Sequence, residues 1–282
     1  MSKIGILVCG NSGVDYEKVD YPFEVIHSTL IINNKEYEDY VDITADEFYD
    51  ILSKNPNVSL STAQASTGLI VDKLEKLKRE GYEEVIAVII SSALSGTVQN
   101  VKLAGELVDG IKLHLVDSHT VSYGQMFLDN KTIEMIKAGK SAIEIVETLE
   151  TMKEKIQVYV LVDTLKFLVK NGRLSATSGA IGSLLKIKPL LNFSNDGKLV
   201  PYEKIRTASK ARARLIEIVK EEIDKGVIEL FFAYTNNKPY VESIQSEIKE
   251  YAPKLVTRLV SLTPVVGAHA GPGTCGIGIL RK

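Results

Sequence analysis

Short apolar runs and longer amphipathic stretches take turns along the first two thirds of the chain. That alternation predicts a parallel or mainly parallel sheet covered by helices. Residues 3–8 read as a buried strand ending in a glycine-bearing loop, Gly10-Asn11-Ser12-Gly13. Residues 25–32 read as one strand entering a hairpin at Asn33-Asn34. Thr44 with Glu47 makes a capping box for a helix that turns Phe48, Ile51 and Leu52 inward. Ile70, Leu74 and Leu77 recur at helical spacing until Gly81 stops them, and the apolar run 85–90 suits a central strand.

The hydroxyl-rich loop Ser91-Ser92-Ala93-Leu94-Ser95-Gly96-Thr97 follows that run and opens a helix whose Val98, Val101, Ala104 and Val108 face one way. The next strand, 111–116, ends at Asp117-Ser118. Ligands of open α/β sheets bind at the carboxyl ends of strands, so both loops are well placed. Ser141 with Glu144 caps a helix carrying Ile143, Val146, Leu149 and Met152. A new set of elements starts at 158–162. It includes a helix ending at Asn171-Gly172, a glycine-rich segment 179–182 and a hairpin at Asn195-Asp196-Gly197. A helix over 209–225, a strand over 228–235, a helix through Val241, Ile244 and Ile248, and two final strands flanking 264–273 complete the chain. The expected fold class is α/β in two domains, 1–156 with a mainly parallel sheet and 157–282 with a mixed one. No repeat or linker separates them, so close packing is expected.

Composition narrows the function. Of 282 residues, 45% are apolar and 25% charged, with a net charge of −2, which excludes a disordered or collagenous chain. No block of Lys or Arg forms a footprint for phosphate backbones, so nucleic acid is not an expected partner. No stretch reaches 18 uninterrupted apolar residues, and residues 4–9 are too short for a signal-peptide core. Cys9 and Cys275 lie far apart without ligand-like spacing and read as buried free thiols. These features together predict a chain of the reducing cytoplasm.

Candidate chemistry is sparse. Gly271-Pro272-Gly273-Thr274-Cys275-Gly276 matches a dinucleotide fingerprint in letters, but too few residues follow to form the helix that would hold a pyrophosphate. It reads as a tight turn into a last strand. Ser95 at a strand-to-helix turn invites a nucleophile, with His269 as base and Asp117 as orienter, in a hydrolase or acyl-transfer enzyme. No Gly-x-Ser-x-Gly elbow surrounds Ser95, and helix capping is its ordinary role. His27, His114, His119 and His269 share no metal-type spacing; His27 and His114 fall within apparent strands, and no metal is implied. His269 differs, because it sits among small residues in Gly267-Ala268-His269-Ala270-Gly271 where an imidazole can reach a cleft. Ser61-Thr62-Ala63-Gln64-Ala65-Ser66 is a second hydroxyl cluster ahead of a helix. Arg173 and Arg206 are isolated arginines, a type usually found at the surface.

Taken in order, Thr62-Ala63-Gln64-Ala65, the Leu-Ser-Gly-Thr loop around Ser95, Val116-Asp117-Ser118, Asn171-Gly172-Arg173, residues 182–189 and Gly267 to Gly273 resemble the DegV family over nearly the whole chain. The resemblance implies a non-enzymatic carrier that encloses a long-chain fatty acid in an apolar tunnel and needs no cofactor. It assigns the carboxylate to the hydroxyls of Thr62 and Ser95, the head-group site to His269 and Arg173, and partner or membrane exchange to Arg206. It further implies presentation of the acid to a separate fatty acid kinase protein for acyl-phosphate formation, and transient contact with a membrane or an acyltransferase. The chain departs from the family pattern at Cys9-Gly10-Asn11, where the family carries Thr-Asp-Ser, and at Ala63 and Ala65, where it carries Ser and Pro. An orphan ligand sensor that has lost its kinase is the reading those departures suggest.

Overall fold

The structure is a computed structural model that describes residues 3–55, 58–175, 182 and 187–282. Residues 179–181 of the glycine-rich segment and 183–186 of the 182–189 motif fall outside the described residues. The chain folds as mixed α/β around three sheets.

The first sheet is wholly parallel, in the order β2-β1-β6-β7, from β1 (Ile4–Cys9), β2 (Glu24–Ile26), β6 (Glu84–Ile89) and β7 (Lys112–Asp117). Its central strand is apolar almost throughout because both faces are covered. Val85, Ala87 and Ile89 pack with Ile70 and Leu74 of α2 (Thr67–Arg79) and Val101 and Ala104 of α3 (Thr97–Leu107). Ile86 and Val88 point the other way, to Leu128 of α4 (Tyr123–Lys137) and to Ile145 and Leu149 of α5 (Ala142–Lys153). Both expected capping boxes form, at Thr44 and at Ser141.

A second sheet of three strands holds β3 (Thr29–Ile32) between β4 (Lys35–Glu38) and β5 (Leu60–Ala63), backed by α1 (Ala45–Lys54) and by a late helix, α9 (Pro264–Ala270). The run 25–32 is therefore two strands in two sheets, not the single strand expected. The break falls at His27-Ser28, where the imidazole lies between Asp15 (3.1 Å) and Glu38 (3.2 Å). Burial alone would lower the His27 pKa, but these acids and Asp39 raise it. His27 thus sits past a strand end, held by charge.

The third sheet is mixed, in the order β10-β9-β8-β13-β11-β12, from β8 (Ile156–Leu161), β9 (Leu190–Phe193), β10 (Leu199–Glu203), β11 (Val227–Tyr234), β12 (Val256–Ser261) and β13 (Cys275–Arg281). Tyr159, Leu161, Leu230, Phe232 and Ile277 cover one face under α7 (Ala208–Gly226) and α8 (Lys238–Tyr251). Val158, Val160, Phe231 and Ala233 look out of the other, toward Tyr123 and Met126 of α4. The short helix α6 (Lys166–Lys170) follows β8 and ends, as expected, at Asn171-Gly172, with Gly172 at a φ of 68°.

Two further expectations are corrected, and one helix, α4, has no counterpart among them. Helix α4 had no legible helical period, because it lies between the parallel sheet and the six-stranded one and buries nearly its whole circumference, Gln125, Asp129 and Thr132 included. On α5 the inward stripe begins at Ala142 and Ile145, leaving Ile143 exposed. Residues 264–273, expected only as the segment between two final strands, contain the helix α9.

Gly278 on β13 is a fixed point of this packing. A β-carbon there would lie 1.8 Å from Cε1 of Phe231 on the neighbouring strand. Gly278→Ala is expected to cost about 1–3 kcal/mol of stability through overpacking and to lower the thermal midpoint by several degrees. An unchanged melting curve would show that the ring can move aside freely.

Candidate functional site

A cavity lies between the parallel sheet and the six-stranded sheet, with about 1030 Å³ of empty space when its open mouth is included. Most of its wall is apolar: Val158, Val160, Phe193, Leu199 and Phe231 come from the six-stranded sheet, and Val121 and Leu94 from loops above the parallel one. Polar residues interrupt that wall, among them Asn11, Ser28, Thr62, Gln64, Ser95, Arg173 and His269.

They arrive from several elements, Thr62 and Gln64 both from the end of β5. Thr62 stands on β5, paired with Leu30. His269 stands on α9, which is clamped from three sides. Asp39 accepts a hydrogen bond from the Val265 amide (3.2 Å), the Tyr49 hydroxyl donates to Leu262 O (3.0 Å), and Asn171 Nδ2 donates to Ala268 O (3.3 Å). Gly267 lets this clamp close, since a β-carbon there would lie 2.2 Å from the Tyr49 hydroxyl oxygen. Thr62 Oγ1 and His269 Nε2 share a hydrogen bond of 2.8 Å. The other ring nitrogen, Nδ1, is buried with no hydrogen-bond partner among the described residues. Burial, reinforced by the charge of Arg173, drives the His269 pKa from 6.5 down to about 4. The imidazole is neutral near pH 7.

Arg173 follows the left-handed Gly172. Its Nε donates to Leu94 O (3.0 Å) and its Nη1 to Asn171 O (2.6 Å). Both bonds go to carbonyls, and among the described residues no carboxylate pairs with it. A cation therefore stands at an apolar cavity with no carboxylate partner among the described residues, an arrangement that favours an anionic ligand.

Ser95 lines the same cavity from the β6–α3 loop. Its hydroxyl pairs with Thr97 Oγ1 (2.8 Å) and accepts from the Thr97 amide (3.3 Å), but the N-cap of α3 is Gly96, so Ser95 braces the turn from one residue earlier instead of capping the helix as expected. Asp117 does not orient His269. Its carboxylate accepts from the Ser92 and His119 amides, so it braces the loops instead. The hydrolase arrangement of Ser95, His269 and Asp117 is thus replaced by separate pairs: His269 with Thr62, Ser95 with Thr97, and Asp117 with backbone.

Four of the five expected positions, Thr62, Ser95, Arg173 and His269, come together at the cavity. Arg206 does not; it is exposed and outside the lining. Asn11, Ser28 and Gln64 were not expected there. Asn11 and Gln64 sit at strand ends, where an open α/β sheet places ligands, and that was the available signal. Ser28 was hidden by reading 25–32 as one strand. Among the described residues no group of three or more metal-ligating side chains forms, and Cys9 and Cys275 are buried free thiols. No helix of the described residues is long and apolar enough to cross a membrane.

Comparison with known proteins settles the family. The sequence model described as "Uncharacterised protein, DegV family" matches residues 8–282. The chain belongs to the DegV family. A DegV domain-containing protein of Clostridium acetobutylicum is 33% identical over 284 residues, covering 100% of both chains. One from Listeria innocua is 32% identical over 93% of each. Among solved structures, the DegV fatty acid binding protein from Bacillus subtilis is 30% identical with a TM-score of 0.90, and a fatty acid binding DegV family protein from Streptococcus agalactiae is 30% identical with a TM-score of 0.91. Both comparisons cover 100% of each chain.

Proposed function

We propose that this DegV protein carries a long-chain fatty acid, with the alkyl chain in the cavity and the carboxylate at the Thr62, Ser95, Arg173 and His269 end. The observation that carries this reading is Arg173: a guanidinium without a carboxylate partner among the described residues, at the edge of a mainly apolar cavity. An amphiphile with one anionic end matches both properties. Each buried methylene contributes roughly 0.8 kcal/mol before the cost of ordering, so the chain supplies affinity and the head group supplies orientation. Hydroxyls suit the carboxylate because they donate without adding another charge to desolvate.

The fold similarity to fatty acid binding DegV proteins supports the same ligand class. On this reading the protein is not an enzyme. It shelters the acid in the cytoplasm, presents the carboxylate to a separate ATP-dependent fatty acid kinase for acyl-phosphate formation, and exchanges cargo at a membrane or an acyltransferase through the surface around Arg206. The regions 1–156 and 157–282 act as two domains whose junction holds the ligand.

The test is mass spectrometry of ligand released from natively purified protein, for the parent and for Thr62→Val combined with Ser95→Ala. A stoichiometric fatty acid in the parent, with affinity weakened about tenfold or more in the variant, is the expected result, since each lost hydrogen bond contributes about 0.5–1.5 kcal/mol. A parent that holds no acyl chain and takes none up on incubation would rule the carrier out.

A further inference from the structure

The cavity-facing residues of the six-stranded sheet stand in ranks across four strands. Ala233 pairs with Gly276, Gly276 with Val160, and Val160 with Leu191. Two residues along, Phe231 pairs with Gly278 and Gly278 with Val158, and the pairing of Tyr159 with Asn192 brings Phe193 beside Val158. The ranks lie about 7 Å apart along the strands. One is small at its centre, with Ala and Gly; the other carries two phenyl rings.

The two glycines behave oppositely. A β-carbon on Gly276 would meet Ala233 Cβ at 3.4 Å, an ordinary contact, and Gly276 itself lines the cavity. A β-carbon on Gly278 would fall inside the Phe231 ring, so that ring lies down across Gly278 and takes its place as cavity wall. Behind Phe231 stands Tyr123, ring centroids 5.5 Å apart. The next layer is polar: the Tyr123 hydroxyl donates to Glu229 (2.9 Å), Glu229 pairs with Arg258, and Arg258 lies 5.2 Å from the centre of the Tyr123 ring.

We propose that Phe231, laid across Gly278 and backed by Tyr123, is the length gauge of the cavity, and that Gly276 keeps open the space just before it. The inference rests on the fatty-acid reading and adds the residue that sets which acids fit. An alkyl chain reaching Phe231 meets a braced ring, and past that ring lies an ion pair rather than further apolar space. Acids longer than the gauge must leave methylenes outside the cavity or displace the ring.

The experiment is equilibrium binding of straight-chain saturated acids of about 10 to 20 carbons to delipidated parent, Phe231→Leu and Gly276→Val. In the parent, affinity is expected to rise about fourfold per methylene and to stop rising at a definite length. Phe231→Leu moves that length to longer acids, and Gly276→Val moves it to shorter ones. Thermal melting identifies which variants fold. If Phe231→Leu does not fold, Gly276→Val decides alone, since it adds volume to open space. Folded variants whose limit coincides with the parent's overturn the gauge. A parent that binds none of the acids overturns the fatty-acid reading itself, and the gauge with it.

Discussion

Replacing Arg173 by methionine is expected to weaken binding of a long-chain carboxylate roughly ten- to hundredfold while hardly changing affinity for the alcohol of the same length. A hydrogen bond to a charged group is worth about 1.5–3 kcal/mol, and the alcohol offers no charge for the guanidinium to meet. The comparison matters because Arg173 also donates to Leu94 O and Asn171 O, and loss of those bonds loosens the loop for either ligand. A purely structural role would weaken both ligands equally. Arg173→Lys is expected to recover part of the carboxylate preference, since it restores the charge but not the fork of donors. Titrating both ligands against the three proteins, followed by intrinsic tyrosine fluorescence or calorimetry, reads the result directly.

The second large effect is in pH. In the unfolded chain the imidazole of His269 takes a proton as pH falls through 6.5; in the folded, unliganded protein it does so only near 4, because it is buried beside Arg173. Between those values the unfolded state binds more protons, so the stability contribution is present above pH 6.5 and is lost as pH falls toward 4. The interval corresponds to about 3 kcal/mol. Asp39 works in the opposite direction. Burial raises its pKa from 3.8 to about 7, against the hydrogen bond from the Val265 amide, so its contribution falls as pH rises through that range. The informative quantity is therefore the difference between parent and His269→Gln in urea midpoints at about pH 4.5 and 7.5. The gap between the two proteins is expected to shift in favour of the variant at the lower pH. A gap that does not change with pH would mean that His269 titrates normally in the fold.

Much of the molecule was legible in advance where one local rule dominated. The capping boxes at Thr44 and Ser141, the left-handed Gly81 and Gly172, and the buried run of β6 need only near neighbours in sequence to take their form. The same holds for the turn at Asn33-Asn34, whose φ values of 49° and 65° suit a hairpin. What could not be read were the places where two sheets compete for one segment. Residues 25–32 look like one strand because every residue suits a pleated half-buried surface. Only the His27 contacts to Asp15 and Glu38 show where the chain changes sheets. Helix α4 shows no period because its polar residues are buried along with its apolar ones.

The site divides in the same way. Local sequence determined that Ser95 would lie in a strand-to-helix turn, that Arg173 would follow a left-handed glycine, and that His269 would stand among small residues able to approach other elements closely. Sequence order also carried the resemblance to the DegV family. Tertiary structure alone decided that Thr62 and His269, 207 residues apart, share a hydrogen bond, that Asp117 serves backbone amides instead, and that Gly276 opens space where Gly278 is filled by a ring. The reason is physical. Caps, turns and strand patterns are fixed by interactions within a few residues, whereas a cavity is the space left between elements, and its chemistry depends on side chains that meet only after those elements have packed.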